Sequence, residues 1–293
     1  MKATALGCIL ALIPVLVQAP ALAAESQIAV VAAENFYGDI ARQIGGERVA
    51  VNSIMSNPDQ DPHLFETTPG VVRQLTNAQI VILNGVNYDP WMEKLLATAP
   101  RTDRIVISAA QLTGRKPGDN PHLWYDPATM PAMATAFADA LAKTDSAHAS
   151  DYAARLKSTL AGLERITQRV MQLKAKYAGS PVTATEPVFG PMAQALDLTM
   201  RNERFQLAMM NDTEPSARDI ASFEKDLRER KVKVLIYNSQ VSEKLTERLR
   251  DIARKAKVPV VGVTETMPPN ISFQDWILGE LDSLDKALSG PNS

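Results

Sequence analysis

Short runs of β-branched residues alternate with amphipathic segments in two separate blocks, and an unbroken stretch of helix formers lies between the blocks. In the first block, residues 27–33 (QIAVVAA), 48–54, 79–83 (QIVIL) and 104–107 read as strands. Residues 36–44, 69–75 and 90–97 carry apolar side chains at helical spacing between them. From 128 to 177 the chain is almost wholly helix-forming, with one interruption at Lys143-Thr144-Asp145-Ser146 that supplies a helix start. A helix over 147–177 would be about 45 Å long, more than one small lobe needs. The strand pattern resumes at 182–185, 232–237 (VKVLIY) and 258–263 (VPVVGV), with helices over 188–195, 217–230, 242–255 and 273–288. Strands alternating with helices demand a parallel sheet covered on both faces. The expectation is an α/β chain: two β/α lobes with mostly parallel sheets, joined by one long rigid helix. The N-terminal lobe is expected over 25–127, the helical segment over 128–178 and the C-terminal lobe over 179–293, whose last residues (289–293) read as a frayed tail.

Residues 1–24 read as a removable leader. Met1-Lys2 carries a positive charge, an apolar run follows to about residue 17, and Ala21-Leu22-Ala23 offers a small-residue cleavage pattern. The run is too short for a comfortable membrane span, which needs about 20 residues. The expectation is an exported protein, in the periplasm or at the extracytoplasmic face of the membrane. Cys8 is the single cysteine and sits before most of the apolar run, a poor place for lipid attachment. The mature chain then has no cysteine, so disulfide partners and thiolate ligands are both excluded. A net charge of -2 with no basic cluster argues against nucleic acid.

Histidine is used sparingly. Two of the three follow proline in near-matching settings, Asp61-Pro62-His63-Leu64-Phe65-Glu66 and Asn120-Pro121-His122-Leu123-Trp124-Tyr125-Asp126-Pro127. Paired neutral imidazoles near carboxylates suit a divalent metal, although two inert, hydrogen-bonded loop histidines would give the same sequence. Ligands of parallel α/β sheets bind beyond the carboxyl ends of the strands. His63 follows the second expected strand and His122 the fourth, while Glu186 and Glu265 end strands of the second block. Two imidazoles from one lobe and two carboxylates from the other make a nitrogen–oxygen site in the interlobe cleft. Such a site suits manganese, zinc or ferrous iron and lacks the all-oxygen character of calcium or magnesium sites. Glu34 also ends a strand and competes as a ligand, as an orienting neighbour, or as the cap of the next helix. Asn238 ends a strand and is placed to orient the ligands. Glu66 reads as a loop stabiliser, Asp126 as a helix cap and His148 as a solvated helix residue.

With those residues in place, the chain resembles the metal-binding class of ABC-transporter solute-binding proteins, the receptors of zinc and manganese importers. The resemblance covers essentially the whole mature chain. It rests on Asp61-Pro62-His63 with Glu66, Asn84-Gly85 with Trp91 and Leu95-Leu96, Pro121-His122-Leu123-Trp124, the long helix and Glu214-Pro215-Ser216. It implies two lobes on a rigid helix, one divalent ion in the cleft as transported ligand, and His63 and His122 as the first two ligands. The third ligand is histidine in typical zinc receptors and more often glutamate in manganese receptors; here Glu186 stands in that place. The fourth is usually aspartate, and Glu265 departs from that. The His- and acid-rich loop common in zinc receptors is absent from the sequence. The implied role is capture without catalysis, by a monomer that delivers zinc or manganese, or iron, to a membrane permease and its ATPase. Small lobe movements are implied by the rigid strut. Two other readings fit the same His2Glu2 set: a metal-dependent hydrolase and a metal-stabilised adhesin. The first lacks H-E-x-x-H and any Ser/His/Asp arrangement.

Overall fold

The computed structural model of the chain describes residues 27–57, 65, 67–241 and 243–290; the leader, His63 and Glu66 lie outside the described residues. Strands β1 (Ile28–Glu34), β2 (Val49–Met55), β3 (Ile80–Leu83) and β4 (Ile105–Ser108) form a parallel sheet in the order β2-β1-β3-β4. Strands β5 (Pro181–Ala184), β6 (Thr199–Arg201), β7 (Leu235–Asn238) and β8 (Val260–Val263) form a second parallel sheet with the same wiring, β6-β5-β7-β8. Most expected strands fall within two residues of these. The 232–237 run is the exception, pairing as a strand only from Leu235. β6 was not expected, since three residues carry no readable period.

Both sheets are buried on both faces, as crossover helices require. Along β1, Val30 and Ala32 face one core while Val31 and Ala33 face another. The second core is closed by α2 (Pro69–Asn77) and α3 (Pro90–Thr98). The equivalent outer face of the second sheet is closed by α8 (Glu203–Met210), α9 (Ala217–Arg228) and α10 (Lys244–Lys255). The main core is continuous through both sheets. It includes α1 (Asn35–Gly45), α5 (Thr129–Thr144), α6 (Ala149–Tyr177) and α11 (Phe273–Ser289). Two short helices, α4 (Ala109–Thr113) and α7 (Gly190–Ala195), complete the chain's α-helices among the described residues.

The long helix α6 has 29 residues and spans about 43 Å. Its buried stripe, Tyr152, Thr159, Leu163, Ile166, Val170 and Leu173, keeps one face on α1, α5 and α11 from end to end. Its start corrects one sequence reading. His148 is not a solvated helix residue: its ring stands 2.9 Å from both Asp145 carboxylate oxygens and also meets the Arg48 guanidinium. Asp145 accepts from the Tyr152 hydroxyl as well, so the break before α6 is tied by side chains.

Polar and aromatic contacts lock α1 to the C-terminal half. Asn35, Asp39 and Gln43 recur every four residues on one face of α1. Asn35 exchanges two hydrogen bonds with the Met267 backbone, at 2.7 and 3.1 Å. Asp39 accepts from the Phe273 amide, and Gln43 pairs reciprocally with Gln274. Phe36 packs against Trp124 and Trp276, and Tyr125 bridges Phe189 and Trp276. Each such ring pair adds about 0.5–1.5 kcal/mol beyond area burial. Among the described residues no helix is long and apolar enough to cross a membrane.

Candidate metal centre

Shared strand order gives both sheets a crevice in the same place. In the first, the chain leaves β1 toward β2 and returns to β3 on the other side, so the crevice opens past the ends of β1 and β3; the second opens past β5 and β7. Glu34 is the last residue of β1 and Asn84 follows β3; Glu186 lies two residues past β5 and Asn238 is the last residue of β7.

His122 is carried on the loop after α4 and is 1% exposed. Pro121 and a short 3-10 turn (Leu123–Tyr125) fix the backbone around it. The Pro121 carbonyl accepts from Leu123 N and from Asn84 Nδ2, and Asn84 Oδ1 accepts from the Tyr37 hydroxyl. The ring sits edge-on to Tyr88 and Trp124. Its Nδ1 stands 2.7 Å from Asn120 Oδ1. Its Nε2 has no hydrogen-bond partner and lies 3.6 Å from Glu265 Oε2.

The two carboxylates of the other sheet are wired together. Pro187 ends the β5 extension and opens a 3-10 turn, leaving Glu186 extended at its start. Asn238 Nδ2 donates to Glu265 Oε1 at 2.7 Å and to Glu186 Oε2 at 3.3 Å. Gln240 holds the Glu265 loop by accepting from the amides of Glu265 and Thr266, while its own amide donates to Asn238 Oδ1. All three of Glu186, Asn238 and Glu265 are buried. His122 and Glu265 therefore meet across the lobes, and Glu186 joins them through Asn238. Among the described residues, no three His, Cys, Asp or Glu side chains form a ready cluster for an ion, and His63 is outside those residues.

Glu34 occupies the cap position of α1 but makes no cap hydrogen bond, so the capping alternative does not hold. Its carboxyl is buried, and burial together with the charge of the nearby Asp89 carboxyl and a hydrogen bond shared with it pushes its pKa well above the usual carboxylate range. Asp89 is itself raised to about 6 by burial, although it accepts from the amides of Asn84 and Gly85. Tyr88, against the His122 ring, has its phenol pushed up by burial and by the charges of Glu265 and Glu34. Asp126 accepts from Ala128 N and pairs with Arg115, but Ala128 occupies the cap position of α5, so the expected capping role does not hold. Sequence reasoning missed Asn120, Gln240, Tyr88 and Asp89. The only signal was adjacency: two residues before His122, two after Asn238, and directly after Asn84-Gly85-Val86-Asn87.

Imidazole nitrogen and carboxylate oxygen are donor types that divalent transition-metal ions take. Known proteins agree in fold. The periplasmic zinc-binding protein TroA of Treponema pallidum superposes with a TM-score of 0.75 at 20% identity, covering 90% of this chain and 99% of that one. A metal ABC transporter substrate-binding lipoprotein of Streptococcus cristatus, ScbA, is 22% identical over 90% of this chain and 90% of its own length. The iron ABC transporter substrate-binding lipoprotein MtsA of Streptococcus pyogenes serotype M1 is 26% identical over 53% of each chain. The family model for ZnuA, zinc-uptake complex component A, periplasmic, matches residues 30–287, and the chain belongs to that family.

Proposed function

We propose that this protein is the extracytoplasmic receptor of a metal-importing ABC transporter, with His63, His122, Glu186 and Glu265 holding one zinc or manganese ion as cargo. The observation that carries the reading is the His122–Glu265 pair. A buried imidazole nitrogen without a hydrogen-bond partner faces a carboxylate 3.6 Å away, and Asn238 ties that carboxylate to a second one. An unsatisfied buried nitrogen costs stability, so its retention here points to a ligand. Asn238 holds the carboxylates from the second lobe, and Glu34 stands at the end of a strand of the first.

Capture rather than turnover follows from family membership: the chain is a component of an uptake complex, not an enzyme. The relatives that are named for zinc and for iron do not agree on one ion. Nitrogen–oxygen sites bind zinc more tightly than manganese whatever the physiological cargo, so affinity alone does not name it. The permease and its ATPase would receive the ion from a monomeric receptor in the periplasm. The Asn35, Asp39 and Gln43 ties and the shared aromatic core support small lobe movements on loading. Elemental analysis of the purified mature protein tests the reading, followed by chelation and circular dichroism. One ion per chain, removable and replaceable with the fold intact, is the expected result. No bound or rebinding metal would refute it, and unfolding on chelation would favour a structural metal in an adhesin-like protein.

A further inference from the structure

We infer that Asn120 is the positioning residue that prepares His122 for the ion, and that it does so from a bond to the opposite lobe. The inference rests on the proposed metal site. Asn120 Nδ2 donates to the Pro187 carbonyl at 2.7 Å, and Pro187 is the residue after Glu186. A carbonyl can only accept, so this contact fixes which end of the amide faces the second lobe. Asn120 Oδ1 is thereby turned to His122, where it accepts from the backbone amide at 3.0 Å and meets Nδ1 at 2.7 Å. An amide oxygen has no proton to give. Nδ1 must carry the hydrogen, and in the neutral ring it is then the Nε2 lone pair that faces Glu265.

That is the tautomer a metal ligand needs, and an outer partner on the far nitrogen is how ligating imidazoles are held. The chain makes room for the arrangement. A Cβ at Gly190 would come within 2.6 Å of Asn120 Nδ2, yet the Gly190 backbone is ordinary right-handed helix, with φ -53° and ψ -52°. Its glycine therefore serves space, not conformation. One amide thus joins a ligand of the first lobe to the backbone beside a ligand of the second. Moving Pro187 away would release the ring's orientation, which links ion release to separation of the lobes at this point.

The test uses the full mature protein, nitrogen-15 NMR of the histidine rings in the metal-free form, and zinc titration. Wild type should show His122 protonated on Nδ1. Asn120→Ala should lose that preference and bind zinc about 10–100-fold more weakly. Asn120→Asp keeps an acceptor for Nδ1 but cannot donate to the Pro187 carbonyl, so it should keep Nδ1 protonated while losing the tie to the second lobe. Gly190→Ala should weaken binding as Asn120→Ala does, with no further loss in the double variant. An Asn120→Ala protein with the native tautomer and unchanged zinc affinity would overturn the inference while His122→Ala still abolished binding. Unchanged binding in His122→Ala would instead overturn the proposed site itself.

Discussion

Replacing Glu280 by glutamine should flatten part of the protein's pH dependence of stability. Glu280 lies on α11 behind the Glu265 loop, and burial raises its pKa from 4.5 to about 8. The hydrogen-bond count supports a neutral carboxyl. Oε1 accepts from Trp276 Nε1 at 3.0 Å and from Thr264 N at 3.2 Å, and Oε2 lies 2.8 Å from the Tyr125 hydroxyl. That hydroxyl has one proton, and the Thr264 carbonyl at 2.7 Å can only accept it. The remaining contact needs a proton from Glu280. Because the folded pKa is raised, the stability this group contributes is fully present below about 4.5. It is lost as pH rises toward 8, at about 1.36 kcal/mol per unit. Between pH 5.5 and 7.5, wild type should lose about 2–3 kcal/mol relative to Glu280→Gln, whose amide can donate to Tyr125 Oη in place of the acid proton. Other titrating groups, such as Asp89, cancel in the comparison. Urea denaturation of both metal-free proteins at pH 5.5, 6.5 and 7.5 measures the difference. Parallel curves across that range would refute the reasoning.

Asn35→Ala strips two buried bonds from the Met267 backbone and should cost about 2–3 kcal/mol in urea denaturation. Gly45→Ala places a Cβ within 2.3 Å of a Val49 methyl, in a backbone that would otherwise welcome alanine. Overpacking by about 1–3 kcal/mol should outweigh the helix gain and lower the thermal midpoint. Asp89→Asn sets an amide where Asp89 now accepts from both Asn84 N and Gly85 N, and should destabilise the protein by about 1–3 kcal/mol in the same denaturation assay.

The alternation of β-branched runs with helical spacing was enough to read two parallel sheets and the long helix, because burial on both faces leaves strands such as Ile80–Leu83 without polar residues. Strand ends also pointed to Glu186, Asn238 and Glu265, since ligands of parallel sheets gather beyond the carboxyl ends of the strands. Three-residue β6 and the helix after it were not legible: Asn202 turns the chain through a left-handed conformation that no residue pattern announces. His148 was misread because its partners, Asp145 and Arg48, include one that is 100 residues away. Asn120 went unread for the same reason. Its role depends on Pro187 in the other lobe, a contact that sequence spacing does not carry.

Calorimetric titration of the metal-stripped mature protein with zinc, compared with a His122→Ala/Glu265→Ala variant, tests the central claim most directly. The expected result is one ion per chain with a dissociation constant of about 1 μM or below in wild type, and a loss of at least about 100-fold in the variant. A folded variant that still bound zinc as tightly as wild type would show that the ion sits elsewhere.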